Sequence, residues 1–292
     1  MNGLPVYFQI MYVIIYAFAF LFGVSIGSFL NVCIYRLPIG ESLTKKNSHC
    51  MTCGTPIRKR DLIPVISWCM LRGKCHSCGS RISPRYTVVE LLNGILYLFV
   101  FLFYRIDITR YYETETVLTI IHASIVCLLF SALIVVFFMD WDTQLINTYV
   151  VIFIGALAVP DYLICRSILN VSLVSHIVGA FVVSVPLLII VLASHEKAMG
   201  MGDVYLMIAG GLFLGIKGAL VAMLIALVTG SISGLILKKI NGDSQFAFGP
   251  YLSLGIAAAA LWGENIGNWY IHFTGLDSTG EEMIRTVLTL IS

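Results

Sequence analysis

Two kinds of residue in this chain stand where their chemistry needs an account. The first are four cysteines, spaced as Cys50-x2-Cys53 and Cys75-x2-Cys78. Cysteine pairs at that spacing suit tetrahedral zinc, because a tight turn aims two sulfurs at one ion. Gly54 and Gly79, directly after each pair, supply the unhindered backbone such a turn requires. His49 and His76 are spare ligand candidates, and reduced or redox-active thiols are the competing reading. Cys33, Cys127 and Cys165 lie in apolar runs and Cys69 stands alone between the pairs, so these read as small hydrophobes or incidental thiols. The second kind are carboxylates at the ends of apolar runs. Asp140 and Asp142 close the run SALIVVFFM, and Asp203 opens another after Gly200-Met201-Gly202. Partial desolvation beside a second carboxylate favours the protonated form, so one acid keeps a proton while its partner acts as base, as in an aspartic protease dyad. The glycines before Asp203 would let a substrate backbone or a neighbouring helix come close. The alternative is that Asp140 and Asp142 are interfacial caps and Asp203 a helix N-cap. His122 and His176, within or at the edge of apolar runs, read as satisfied by neighbouring helices.

The elements that must position these groups are set by composition. Of the 292 residues, 59% are hydrophobic and 12% charged, with a mean hydropathy of +0.92; soluble domains average about 25% charged. Apolar runs such as Ile120 to Met139 are continuous, long enough to cross a hydrocarbon core about 30 Å thick, and not alternating, so they are helices and not barrel strands. The expected fold is an all-α polytopic membrane protein of about eight transmembrane helices. They fall near residues 7–32, 86–104, 117–139, 146–164, 172–194, 203–216, 219–237 and 249–272. Ten of the 18 basic residues lie between Arg36 and Arg85, which places that loop in the cytoplasm. No Lys or Arg precedes Arg36, so the first run reads as a retained span with the N-terminus outside. Alternation then puts the turns at Asp140 to Asn147, His195 to Asp203 and Lys238 to Phe248 in the cytoplasm as well. The division expected is residues 1–34 as a first span, 35–85 as a cytoplasmic zinc-binding loop, 86–275 as the catalytic membrane domain and 276–292 as a tail lying on the membrane. His-Glu-x-x-His and Walker sequences are missing, which argues against zincin and P-loop chemistry.

Several segments in order resemble the type IV prepilin peptidase family, the bifunctional leader peptidases and N-methyltransferases of pilus and type II secretion systems. Gly27-Ser28-Phe29-Leu30-Asn31-Val32 through Tyr35-Arg36-Leu37-Pro38 is similar to its first signature, and the paired cysteines follow. Ser83-Pro84-Arg85-Tyr86 with Glu90, Asp140 with Ile146, Gly200 to Asp203, and Phe248-Gly249-Pro250-Tyr251 resemble further signatures. Asn147 stands where the family usually has Pro, and Asp142 remains a rival to Asp140 as the first acid. The resemblance implies an aspartyl endopeptidase of the bacterial cytoplasmic membrane, with Asp140 and Asp203 catalytic. Its substrates would be prepilins or pseudopilins cut after a Gly at the cytoplasmic face. It also implies methylation of the new N-terminus from S-adenosylmethionine, with the loop and the Gly27 to Pro38 region contributing. Zinc would be held by Cys50, Cys53, Cys75 and Cys78, and no nucleic-acid partner is expected. The competing class is a cation-coupled transporter with a regulatory zinc loop. Such ion sites usually lie near the bilayer midplane, whereas the acids here cluster at span ends.

Overall fold

The computed structural model describes residues 5–45, 48–110, 113–169, 171–197, 199–241 and 247–274. The tail at 276–292, expected to lie on the membrane, falls outside them. The described residues are overwhelmingly helical and contain no β-strand. The chain divides into two compact units, Met1–Val171 and Ser172–Ser292.

The first unit holds α1 (Val6–Arg36), the short loop helix α2 (Ile66–Met70), α3 (Arg85–Phe103), α4 (Thr114–Thr143) and α5 (Thr148–Leu169). α1 runs one turn further than its apolar stretch, so Tyr35 and Arg36 are still helical. α1 and α3 cross almost backbone to backbone. A Cβ on Gly27 would lie 2.7 Å from Glu90 Cα, and one on Gly23 would lie 2.9 Å from Gly94 Cα. Without a hydrophobic drive between helices in lipid, close packing of this kind and interhelical hydrogen bonds supply the association. The bonds are present: Asn93 Nδ2 donates to Gly23 O at 2.6 Å, Ser131 Oγ to Asn93 Oδ1 at 2.9 Å, and Tyr97 Oη lies 3.0 Å from Ser131 Oγ. Together they tie α1, α3 and α4. The other face of α1 presents Val13, Phe18 and Leu21 outward, as a lipid-facing surface should.

The second unit holds α6 (Leu173–Val182), α7 (Ser184–Ser194), α8 (Met201–Asn241) and α9 (Gly249–Thr274). The break between α6 and α7 at Val183 precedes Pro186, which has no N–H to give and whose ring crowds the carbonyl four residues back. α8 is nominally 41 residues long, about 60 Å if straight and twice the hydrocarbon core. It is not straight. Gly215, at φ 72 and ψ −177, occupies a region open essentially to glycine alone. Gly210 lies against Ile256, while Ala222 lies against Gly255. Positions 210 and 222 would be about 18 Å apart in a straight helix, yet they meet adjacent residues of α9. The chain therefore reverses at Gly215 and α8 is a helical hairpin, which agrees with the two runs at 203–216 and 219–237 separated by almost no loop.

Six of these helices, with α6 and α7 taken as one and α8 as another, are long and apolar enough to cross a membrane among the described residues. Separating the two arms of α8 and adding the less apolar α9 gives eight rods.

Candidate functional site

The four paired cysteines come together. Their sulfur atoms all lie within 4.8 Å of one another, and Cys50 Sγ is 3.9 Å from Cys78 Sγ. Zinc–sulfur bonds of about 2.3 Å in a tetrahedron require sulfurs about 3.8 Å apart, so the set fits one zinc ion with little movement. The two pairs are built alike. Gly54 N–H donates to Cys50 O at 2.8 Å and Cys50 N–H to Thr55 O at 3.0 Å. In the second pair Gly79 N–H donates to Cys75 O at 2.9 Å and Cys75 N–H to Ser80 O at 2.8 Å. Gly54 and Gly79 sit at φ 69 and φ 71, the left-handed turn their sequence position requires. Donation from the Cys53 N–H, the Ser80 hydroxyl and the Thr52 N–H holds the Cys50 thiol down at about 5, so the thiolate that metal needs prevails at neutral pH. Cys78 is lowered too, first by the Ser80 hydroxyl. Neither His49 nor His76 belongs to the converging set. Cys33 and Cys127 are buried and Cys69 is exposed, as small hydrophobes and an incidental thiol should be.

Beneath this loop lies a cavity of about 450 Å³ lined by α1, α3 and the loop, including Asn31, Tyr35, Trp68, Asp61, Tyr86 and Glu90. Glu90 anchors its floor. Its Oε2 accepts the Val65 N–H at 2.7 Å, and Val65, a β-branched residue at φ 62, is held in a conformation that costs roughly 1–3 kcal/mol. Asn31 Nδ2 donates to Tyr86 O at 3.0 Å, joining the two family-like signatures across the helix crossing. Arg36 is buried and donates to the carbonyls of Ser42 and Leu43, each at 3.2 Å, which closes the end of α1 and starts the loop.

The structure separates Asp140 from Asp142 in character. Asp140, on the last full turn of α4, is 5% exposed. Asp142 is more than a third exposed and is gripped by Arg85 through two contacts, Nη2 to Oδ2 at 2.6 Å and Nη1 to Oδ1 at 2.9 Å. Arg85 also donates to Phe138 O at 3.3 Å and lies over the Phe138 ring. A bidentate guanidinium commits a carboxylate to one partner, so the Arg85–Asp142 pair fixes the end of α4 against the start of α3. Just beyond, Gln144 adopts a left-handed conformation and its N–H donates to Asp140 O at 2.9 Å, which ends the helix. Asn147 Oδ1 accepts the Tyr149 N–H at 2.9 Å, so Asn147 starts α5 as an N-cap.

Asp203 lies in the first turn of α8 and is 7% exposed. Its N–H donates to Gly200 O at 3.3 Å. Among the described residues, a Cβ on Gly200 would meet nothing nearer than Gly202 N at 4.0 Å.

One polar group escaped the sequence reading. Asp161, in the middle of the apolar stretch of α5 and 3% exposed, pairs with His122 Nδ1 at 2.7 Å. His122 and His176 are satisfied by neighbours as expected, His176 Nδ1 through Leu212 O at 2.9 Å. The signal for Asp161 was available: an acid inside a span demands a partner.

Helices long and apolar enough to cross a membrane, four converging thiols and buried carboxylates near helix ends define an integral membrane protein. Residues 21–104 match the model of the bacterial peptidase A24 N-terminal domain, and residues 127–235 match that of the type IV leader peptidase family. The chain is 30% identical to the prepilin leader peptidase/N-methyltransferase of Legionella pneumophila, over 87% of its own length and 93% of that protein. It is 34% identical to a type 4 prepilin-like proteins leader peptide-processing enzyme of Escherichia coli O78:H11, over 80% and 88% respectively. A prepilin leader peptidase/N-methyltransferase of Aeromonas salmonicida is 28% identical, over 92% and 96%. No solved structure matches the chain. The chain belongs to the type IV leader peptidase family and is a multi-pass inner-membrane peptidase.

Proposed function

We propose that the protein is an aspartyl endopeptidase that removes the leader of prepilins or pseudopilins after a Gly at the cytoplasmic membrane face, with Asp140 and Asp203 as its acid–base pair. The observation that carries this reading is that both carboxylates are more than nine-tenths buried at ends of apolar helices, and both fall within the stretch that matches the leader peptidase family. In the reaction, the ionised carboxylate takes a proton from water as the water attacks the scissile carbonyl. The protonated partner donates to the carbonyl oxygen, and the proton then passes to the leaving amine. No covalent enzyme intermediate forms. Asp142 stays out of the chemistry because Arg85 holds it, and it serves to position the end of α4. Cys50, Cys53, Cys75 and Cys78 hold a structural zinc that supplies much of the folding energy of a loop too small to have a core of its own.

The second half of the reading is methylation of the new N-terminal amine. S-adenosylmethionine supplies the methyl group when bound, and the cavity beneath the cysteine loop suits it. Tyr35, Trp68 and Tyr86 give aromatic surface for an adenine ring or a sulfonium cation, and Asp61 and Glu90 give negative charge. Incubating the purified protein with a prepilin, with and without S-adenosylmethionine, tests both halves. A shortened product in both incubations, methylated only when the donor is present, is expected. An intact prepilin would defeat the peptidase reading. Tyr35→Ala/Trp68→Ala should lose donor binding and methylation while cleavage persists.

A further inference from the structure

The polar group around Asp161 is more than a buried ion pair. His122 Nδ1, a carboxylate oxygen of Asp161 and Cys165 Sγ lie within 4.8 Å of one another. Cys165 Sγ is 3.7 Å from His122 Nδ1 and 3.7 Å from Asp161 Oδ2. Asp161 and Cys165 are one helical turn apart on α5, so both side chains leave the same face, and α4 brings the imidazole to meet them. On the far side of the ring, Tyr104 Oη sits 2.9 Å from His122 Nε2. This is the arrangement of a metal-ligating histidine: one nitrogen faces the other ligands while a second group fixes the ring through the remaining nitrogen.

We propose that His122, Asp161 and Cys165 form a second metal site, separate from the four-cysteine loop, for a borderline divalent cation of the zinc type. One nitrogen, one carboxylate oxygen and one sulfur are a donor set suited to such an ion, and hard cations such as magnesium would leave the thiolate unused. The sulfur spacings accept it, and the 2.7 Å His122–Asp161 contact would open to about 3.3 Å. Bonds of about 2.0 Å to nitrogen and oxygen and about 2.3 Å to sulfur place the sulfur roughly 3.5 Å from each of the others, close to the separations present. Charge favours it as well. The divalent ion, one carboxylate and one thiolate sum to zero, and a neutral complex is the cheapest occupant of an apolar helix bundle. On binding, the thiol proton leaves to solvent, while the ring proton moves from Nδ1 to Nε2 and is donated to Tyr104 Oη. The phenol can act as donor before binding and acceptor after it, so the ring keeps its partner in both states. His122 and Cys165 are partly exposed, which leaves a way in. The site lies 18 residues along α4 from Asp140, about 27 Å by helical rise, so it belongs to the opposite end of the bundle and ties α3, α4 and α5 there.

Full-length protein in detergent, equilibrated with excess zinc and dialysed, should carry two zinc ions per chain. Cys165→Ser and His122→Gln should each carry one, the retained loop zinc serving as evidence that the variant is folded. Cobalt loaded into a Cys50→Ser/Cys53→Ser protein should give a single-thiolate charge-transfer band that disappears when Cys165→Ser is added. Once the loop site is filled, further zinc should raise the Tm of the wild type and leave that of Cys165→Ser unchanged. A stoichiometry of one in the wild type under excess zinc would overturn the proposal and reduce the cluster to a hydrogen-bonded trio. A second zinc that survives both Cys165→Ser and His122→Gln would overturn it equally, by placing that ion elsewhere.

Discussion

At the scale of single residues, the informative contrast is between two aspartates on one turn of α4. Asp140 is buried, whereas Asp142 is gripped by Arg85. Replacing Asp140 or Asp203 by Asn keeps the side-chain shape and removes an acid–base partner. Prepilin cleavage should fall by more than about a hundredfold in each variant while insertion and zinc content stay normal. Asp142→Asn instead weakens a half-exposed ion pair, so it should lose a modest part of the rate and lower the Tm slightly. Near-normal cleavage in Asp140→Asn with complete loss in Asp142→Asn would assign the acid to the wrong residue. The sequence placed both acids at a helix end, and the family-like register favoured Asp140 while Asp142 remained a rival. That Arg85 reaches Asp142 from another helix is a tertiary fact. Asp161 was overlooked for a related reason. Its partner lies 39 positions away on α4 and its thiol neighbour looked like an apolar filler, so nothing local marked the three as a set.

At the scale of elements, small residues and the cysteine turns decide what packs where. The crossing of α1 and α3 is close because Gly27 has no side chain, and the atom it would strike belongs to the backbone at Glu90. Backbone cannot rotate aside. Gly27→Val should therefore destabilise the α1–α3 contact by about 1–3 kcal/mol or more, read as a lower Tm in detergent, with the floor of the cavity disturbed through Glu90. Valine at Gly27 with an unchanged Tm would mean that the two helices do not approach as described. The cysteine loop makes a second prediction. One tightly held zinc should be lost from the Cys50→Ser/Cys53→Ser protein, lowering the stoichiometry by one per chain, and the loop should become sensitive to protease. Full retention would require another ligand set, His49 or His76 included. Both knuckles were legible because a Cys-x2-Cys-Gly string fixes its own local geometry. The existence and extent of most helices were legible too, since apolar length is a property of the string. The reversal at Gly215 was visible only as an improbably short gap, because one glycine inside an apolar run does not announce which backbone region it occupies.

At the scale of the whole molecule, the proposed mechanism depends on which side of the membrane each turn faces. A prepilin presents a basic leader in the cytoplasm and an apolar helix in lipid, so the bond to be cut lies at the boundary between them. The loop from Arg36 to Arg85 carries ten of the 18 basic residues and is expected on the cytoplasmic side. Two spans, α3 and α4, lead from it to the turn after Asp140. Two more, α5 and the broken rod of α6 and α7, lead to the turn before Asp203. By alternation, an even number of crossings would return the chain to the same face each time, as the proposed mechanism requires. The start of α4 and the turn at Gly215 would then be expected on the other face; Lys217, just after that turn, donates to Asn268 Oδ1 at 2.7 Å near the end of α9. Lys59, Thr114, Thr143 and Lys197 are all exposed, so a single cysteine at each would be open to a reagent that reaches its side. In a cysteine-depleted protein within intact cells, cysteines replacing Lys59, Thr143 and Lys197 should resist a membrane-impermeant thiol reagent and become reactive on lysis. One replacing Thr114 should react without lysis. Labelling of the Thr143 or Lys197 position from outside would put that aspartate on the face opposite the leader. No arrangement of carboxylates could then cut a bond held in the cytoplasmic leaflet.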